Sequence, residues 1–129
     1  MMAEDMGTFR IDVEIENPAR PGTRQLVPAC LVDTGSELSW MPAPVLEALG
    51  VGRIKSLRFR QATGAVVERW TGYSIVHAGG TVTVDEVVFG EPHDLVLLGA
   101  RSLEGLNLVV DPVNRRLVDA GAMPAAVAV

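Results

Sequence analysis

Alternating apolar and charged residues near the start of the chain predict a β-strand. A period of two places four apolar side chains on one face of that strand: Phe9, Ile11, Val13 and Ile15. The Asn, Pro and Gly residues of 17–22 predict a loop. Residues 26–32 then form a nearly continuous apolar run, which predicts a strand buried on both faces. We expect the two strands to form a hairpin that ends at Asp33.

The rest of the chain is predicted to contain short strands and two short helices. Pro44, the apolar residues up to Leu49 and the glycine that follows predict a helix of one or two turns, and a helical turn is predicted around 103–105. Small residues at 62–65 predict a mobile hairpin tip. The remaining predicted strands cover residues 38–41, 54–61, 66–76, 81–89, 95–98, 106–110 and 117–118. This succession predicts an all-β closed barrel with one or two short helices.

Length and charge limit the classes of function. The 129 residues predict one domain at 8–119, with a flexible N-terminus at 1–7 and a C-terminal tail at 120–129. A net charge of −5 argues against a nucleic-acid partner or an anionic membrane. No apolar run approaches the roughly 20 residues of a membrane span, and the acidic start does not resemble a secretory signal, so we expect a cytoplasmic protein. The single Cys30 predicts a buried thiol.

The strongest chemical signal is the triplet Asp33-Thr34-Gly35 directly after an apolar run. Two facing carboxylates that share a proton can activate a water molecule, whereas one carboxylate at neutral pH is an ordinary anion. If Asp33 is catalytic, its partner must therefore come from a second copy of the chain. The competing interpretation is a solvated turn, because Asp, Thr and Gly also favour turns.

The triplet belongs to a longer pattern that resembles a known family. Leu31-Val32-Asp33-Thr34-Gly35-Ser36 is followed by a helix-forming stretch, a glycine-bearing hairpin and Leu97-Leu98-Gly99 before a short helix. From about Phe9 to Val118, the chain resembles the retropepsin-like aspartic peptidases, the single-domain relatives of pepsin found in retroviruses and bacteria. The resemblance implies a retropepsin-like barrel and an aspartic endopeptidase that cleaves peptide or protein substrates as a homodimer, without a cofactor or metal.

The resemblance also implies roles for individual residues. Asp33 would be the catalytic carboxylate, Gly35 would allow the tight turn beside it, and Thr34 would bond across the dimer axis. The tip residues Thr63 and Gly64 would form a flap that closes over an extended peptide.

Further roles concern the support of the active-site loop. A hydroxyl at Ser36 should stabilise the Asp33 carboxylate, so we expect an acidic pH optimum, lower for the native chain than for Ser36→Ala. Leu98 and Gly99 would support the loop. Many family members pair an arginine directly after Leu-Leu-Gly with an acidic residue two positions past Asp-Thr-Gly. Glu37 occupies the acidic position, but Arg101 lies one residue later than the pattern requires.

Two other functions remain open from the sequence: a non-proteolytic binding or scaffolding module with the same fold, and a domain that works only with another protein. His77 and His93 are too few for a metal site. The basic residues 53–60 are interpreted as a solvated face, and the tryptophans as core or groove residues: Trp40 and Trp70. A second Leu-Val-Asp at 117–119 lacks the following hydroxyl and is not interpreted as a second half-site.

Overall fold

The computed structural model describes residues 9–128, so the predicted flexible segment 1–7 lies outside the described residues. The described part contains nine strands and two short helices, which confirms the all-β prediction. The strands are β1 Arg10–Glu16, β2 Arg24–Val32, β3 Ser39–Pro42, β4 Lys55–Arg60, β5 Val66–Ala78, β6 Thr81–Gly90, β7 Leu97–Leu98, β8 Leu108–Asp111 and β9 Arg116–Asp119. The helices are α1 Ala43–Ala48 and α2 Ala100–Leu106.

Seven strands form one sheet whose ends meet. The strand order is β1-β2-β7-β3-β6-β5-β4, and β1 also pairs with β5, so six strands make a ring and β4 continues outside it. The ring is not a regular antiparallel barrel, because β2 pairs with β7 and β3 pairs with β6 in parallel. Strands β8 and β9 form a separate two-stranded sheet. The predicted closed barrel is thus a closed ring of mixed strand directions.

The expectation that residues 26–32 are buried on both faces is wrong. Leu26 is 49% exposed and Pro28 and Ala29 are exposed, while burial is continuous only from Cys30 onward. Proline has no amide hydrogen for the ladder, and the residue after it, Ala29, has a φ of 52°. The β1–β2 register shifts at the same level, between Ile11 and Val13. A bulge therefore separates an exposed first half of β2 from the buried half that leads to Asp33.

Both predicted helices are present with small changes in their bounds. Helix α1 begins after Pro42, and Gly50, with a φ of 77°, follows its last residues, as expected. The predicted strand at 106–110 starts too early, because Leu106 is the last residue of α2. Asn107 ends that helix with a left-handed φ of 55°, and the strand begins at Leu108.

The ring encloses the main hydrophobic core. Alternate residues of β1 and the buried half of β2 belong to this core together with residues of β6, α1 and α2. The core side chains that are fully buried include Ile15, Cys30, Met41, Leu46, Val76, Val87 and Leu98. Residues 120–128, the tail predicted from composition, have no regular secondary structure and are exposed. The core thus lies directly beneath the end of β2, so the residues that follow this strand start from a fixed position.

Candidate active site

The end of β2 is held by its parallel neighbour β7. Leu31 and Val32 lie opposite Leu97 and Leu98, and the Asp33 amide donates to the Leu98 carbonyl at 3.0 Å. These pairings bring two sequence-predicted site segments together although 60 residues separate them. The half-buried Asp33 therefore follows a strand that is fixed on both sides.

Backbone amides organise the turn around Asp33. The Gly35 amide donates to Asp33 Oδ1 at 2.9 Å, and the Ser36 amide donates to the Asp33 carbonyl at 3.2 Å. A Cβ atom at Gly35 would lie 3.2 Å from Asp33 Oδ1, tighter than an ordinary contact. This turn therefore fixes the orientation of the Asp33 carboxylate through an amide hydrogen bond.

Helix α2 packs its first turn against the loop that follows Asp33. The Ala100 amide donates to the Ser36 carbonyl at 2.7 Å, and the Arg101 amide donates to the Glu37 carbonyl at 3.0 Å. A Cβ atom at Gly99 would lie 2.5 Å from the Leu38 carbonyl oxygen, so glycine is required for this close approach. Leu98 and Gly99 thus lie where the sequence analysis expected structural support.

The displaced arginine does reach its acidic partner. Arg101 Nε lies 3.3 Å from Glu37 Oε1, and both side chains are more than half exposed. Because α2 begins at Ala100, its first turn places Arg101 beside the loop despite the shift of one residue. The geometry of the single chain therefore accommodates the departure from the family pattern.

Thr34 and Ser36 have different surroundings. Thr34 is exposed, so its predicted contact across a dimer axis stays a prediction. Ser36 Oγ donates to the Leu38 carbonyl at 2.8 Å, and a serine hydroxyl has one hydrogen to donate. In the single chain this hydroxyl therefore fastens the loop, and the predicted effect on the pH optimum stays a prediction.

Asp33 opens into a groove of about 540 Å³. One wall carries Trp40 from β3 and Phe59 from β4, whose rings meet edge to face with 5.0 Å between centroids. The groove is lined by polar residues of the Asp33 loop and by apolar residues of four strands and the loop before β7, including Trp40, Phe59, Val67, Leu95 and Leu97. The groove therefore combines apolar walls with charged and polar side chains.

Three carboxylates line this groove in the described part of the chain, and their partners differ. Glu37 pairs with Arg101. Asp94 accepts two hydrogen bonds from Arg69, from Nε at 2.7 Å and from Nη2 at 3.0 Å. The hydrogen bonds from Arg69 and, to a lesser degree, the Glu91 amide and the charge of Arg69 lower the pKa of Asp94, although burial opposes them. Among the residues that the structure describes, Asp33 is the carboxylate of the three without a cationic partner.

The β4–β5 hairpin forms as predicted, but its tip does not line the groove. Gly64 has a φ of 91°, which fits a tight turn, and it lies with Thr63 in an exposed segment. The groove is lined instead by the preceding residues Arg60, Gln61 and Ala62. In this structure the predicted flap residues are therefore next to the groove and not over it.

Sequence reasoning missed the groove residues Asp94 and Phe59, and it missed Arg69, which pairs with Asp94 but is not among the lining residues. Arg69 and Asp94 are 25 residues apart, and nothing in their local pattern distinguishes them from other exposed charges. Trp40 lines the groove, whereas Trp70 is half exposed and is not among the lining residues. The useful signal would have been an aromatic residue on the strand after Asp33, facing a second aromatic residue, Phe59, on the hairpin.

A second groove of similar volume lies between β1, β2 and the β5–β6 turn. His77, one of its lining residues, hydrogen-bonds through Nε2 to the buried Glu16. The hydrogen bond from the Gly22 amide, followed by the one from His77, lowers the pKa of Glu16. Within residues 9–128 no His, Cys, Asp and Glu cluster of three or more could hold a metal ion. None of the helices described is long and apolar enough to cross a bilayer.

Comparison with known proteins finds similarity among solved structures. No family model matches the chain, and no curated protein matches it. Among solved structures, the chain is similar to the simian foamy virus (mac) protease in solution, with a TM-score of 0.49 and 20% identity over 74% of this chain and 91% of that one. The function proposed below therefore rests on the residues and geometry of this chain.

Proposed function

We propose that the protein is a retropepsin-like aspartic endopeptidase that works as a homodimer. The observation that carries this proposal is the carboxylate of Asp33: it opens into the groove, accepts an amide hydrogen bond and, within residues 9–128, has no arginine partner such as Arg101 for Glu37 or Arg69 for Asp94. An orienting amide and the absence of an ion pair are what a carboxylate needs to exchange protons with water or substrate.

One such carboxylate is half of the required chemistry. In the mechanism that we propose, two copies of Asp33 face each other across a twofold axis and share one proton. The ionised member takes a proton from water as the water oxygen attacks the scissile carbonyl carbon, which the protonated member polarises. A proton then passes to the leaving nitrogen as the C–N bond breaks, so no acyl-enzyme forms. Thr34 and Gly35 are exposed beside Asp33, which leaves this edge of the site open to a second copy.

The groove supports a peptide substrate. Its apolar walls accept side chains, and β4 at the edge of the sheet leaves backbone groups free to bind an extended chain. The same groove is complete in one chain, which favours a second candidate function: a non-proteolytic module that binds extended peptides without cleaving them.

Asp33→Asn separates the two functions when a peptide library is incubated with each variant and the products are identified by mass spectrometry. The peptidase proposal predicts cleavage by the native chain and loss of cleavage in Asp33→Asn, with peptide binding retained. The matched control is Asp119→Asn, because Asp119 Oδ1 accepts the Gly121 amide at 2.7 Å in a similar turn and is not among the groove residues. Binding without cleavage by the native chain would support the binding module instead.

Mixing the variants tests whether the site is shared. The native chain is mixed with an equal amount of Asp33→Asn and left until the subunits have exchanged completely. If two Asp33 carboxylates form one site, about half of the native chains are then in inactive mixed dimers, so activity per native chain should fall to about half. Unchanged activity on mixing, or activity of a strict monomer by sedimentation, would rule out the dimeric mechanism.

A further inference from the structure

The Glu86 carboxylate lies between two cations that belong to different parts of the proposed site. Its side chain is 9% exposed, which is unusual for a glutamate. Oε2 accepts a hydrogen bond from Thr71 Oγ1 at 2.7 Å and lies 3.4 Å from Lys55 Nζ. Oε1 lies 3.8 Å from Arg101 Nη1. Each carboxylate oxygen therefore contacts a different cation.

One side of this arrangement is the base of the β4–β5 hairpin. Lys55 is the first residue of β4 and lies opposite Thr71 in the β4–β5 register. The Thr71 hydroxyl also lies 3.3 Å from the Lys55 carbonyl, and the Ile54 amide donates to the Thr71 carbonyl at 2.7 Å. Glu86 is thus bound where the hairpin leaves the body of the sheet, and the other end of the hairpin borders the groove.

The other side of this arrangement is the Asp33 loop. Arg101 contacts Glu37 twice, through its backbone amide at 3.0 Å and through Nε at 3.3 Å. An ion pair between two exposed side chains is weak and does not hold a long side chain in one conformation. Contact with the nearly buried Glu86 restricts the Arg101 guanidinium, and a buried carboxylate is costly without its cations, so Glu86 favours the arrangement in which both are present.

We propose that Glu86 is a positioning residue that couples the base of the β4–β5 hairpin to the Asp33 loop through Arg101. Its effect on catalysis rests on the proposed peptidase function, whereas the coupling itself is a property of the folded chain. A substrate that moves the hairpin would then be sensed at the Asp33 loop through Lys55, Glu86 and Arg101.

Amide hydrogen exchange tests the coupling without any need for activity. Glu86→Gln keeps the size of the side chain and an acceptor for Thr71 but removes the charge. We expect the amides of Ile54, Ala100 and Arg101, which hold the two connected segments, to exchange about tenfold faster in the variant. The matched control is Glu47→Gln, which removes an exposed partner of Arg53 at 3.2 Å and should leave these amides unchanged. Unchanged exchange in Glu86→Gln, or acceleration confined to the hairpin amide, would overturn the proposal.

Peptide cleavage tests the consequence for the site. Glu86→Gln should lower kcat about tenfold with a smaller change in KM, because the loop is misplaced while the groove remains. If Glu86 acts through Arg101, the double variant with Arg101→Gln should lose no more of kcat/KM than the worse single variant. Losses that multiply would show independent roles and contradict the proposal. If the native chain cleaves nothing, the peptidase function fails while the exchange experiment still decides the role of Glu86.

Discussion

The Arg69–Asp94 ion pair should be a major contributor to stability near the groove, and Asp94→Asn tests it. The pair joins β5 to the loop before β7 through two hydrogen bonds of 2.7 and 3.0 Å, and both side chains are 14% exposed. Breaking a buried pair costs about 3–5 kcal/mol and breaking an exposed one less than about 1 kcal/mol. Because the groove admits solvent to this pair, we expect an intermediate loss of about 2 kcal/mol.

The expected loss depends on pH. The pKa of Asp94 is lowered, mainly by hydrogen bonds from Arg69, so the pair stabilises the folded state fully above the ordinary aspartate pKa of 3.8. Its contribution is lost as the pH falls through the lowered pKa of the folded state. The difference in unfolding free energy between the native chain and Asp94→Asn should therefore be constant from pH 7 to about pH 5 and shrink below about pH 3.8.

Urea unfolding of the native chain and Asp94→Asn at several pH values measures this difference in unfolding free energy. In thermal unfolding at neutral pH, the melting temperature of Asp94→Asn should be about 6–10 °C lower than that of the native chain. Glu47→Gln is the matched control, because its exposed pair with Arg53 should contribute less than about 0.5 kcal/mol. The reasoning is refuted if Asp94→Asn is as stable as the native chain at pH 7. It is also refuted if the difference widens as the pH falls.

Three further predictions concern the loop and the core. Gly99→Ala should destabilise the fold by about 2–3 kcal/mol in thermal unfolding, because the added Cβ would meet the Leu38 backbone. The control is Gly52→Ala, whose Cβ would meet nothing within 4 Å and which should be nearly neutral. Burial raises the pKa of Cys30 to about 12, so a thiol reagent at pH 8 should react only in denaturant, and rapid labelling of the folded chain would contradict this. The pH optimum of peptide cleavage should be lower for the native chain than for Ser36→Ala, and coincident profiles would limit Ser36 to holding the loop.

Local patterns in the sequence were sufficient for much of the fold. The alternation around Val13, the helix before Gly50 and the Gly64 hairpin depend on neighbouring residues, and all three form as expected. The position of Asp33 at the end of a buried strand was predictable for the same reason. Its parallel pairing with β7 was not, since a strand of two residues has no distinctive period.

The partners of the charged site residues were predictable only in part. Glu37 and Arg101 were linked by the family resemblance. Glu86, which also contacts Arg101, lies within β6, where the sequence pattern does not distinguish it from an exposed polar residue. Arg69 lies on β5 and Asp94 lies in the loop before β7, so their pairing depends on how the sheet closes. The exposed half of β2 shows a related limit, because Pro28 interrupts a run whose composition alone indicates burial.

The charges of the groove link the proposed dimer to pH. Arg101 and Arg69 pair with Glu37 and Asp94, so Asp33 is the carboxylate of the described groove that two copies would bring together without a cationic partner. Like charges at close range repel, and one shared proton relieves the repulsion, so dimers should bind more tightly at acidic pH than at pH 7.5. Asp33→Asn should dimerise tightly at both pH values, whereas Asp119→Asn should keep the native dependence. Sedimentation that shows the same affinity of the native chain at both pH values would mean that the two carboxylates do not face each other.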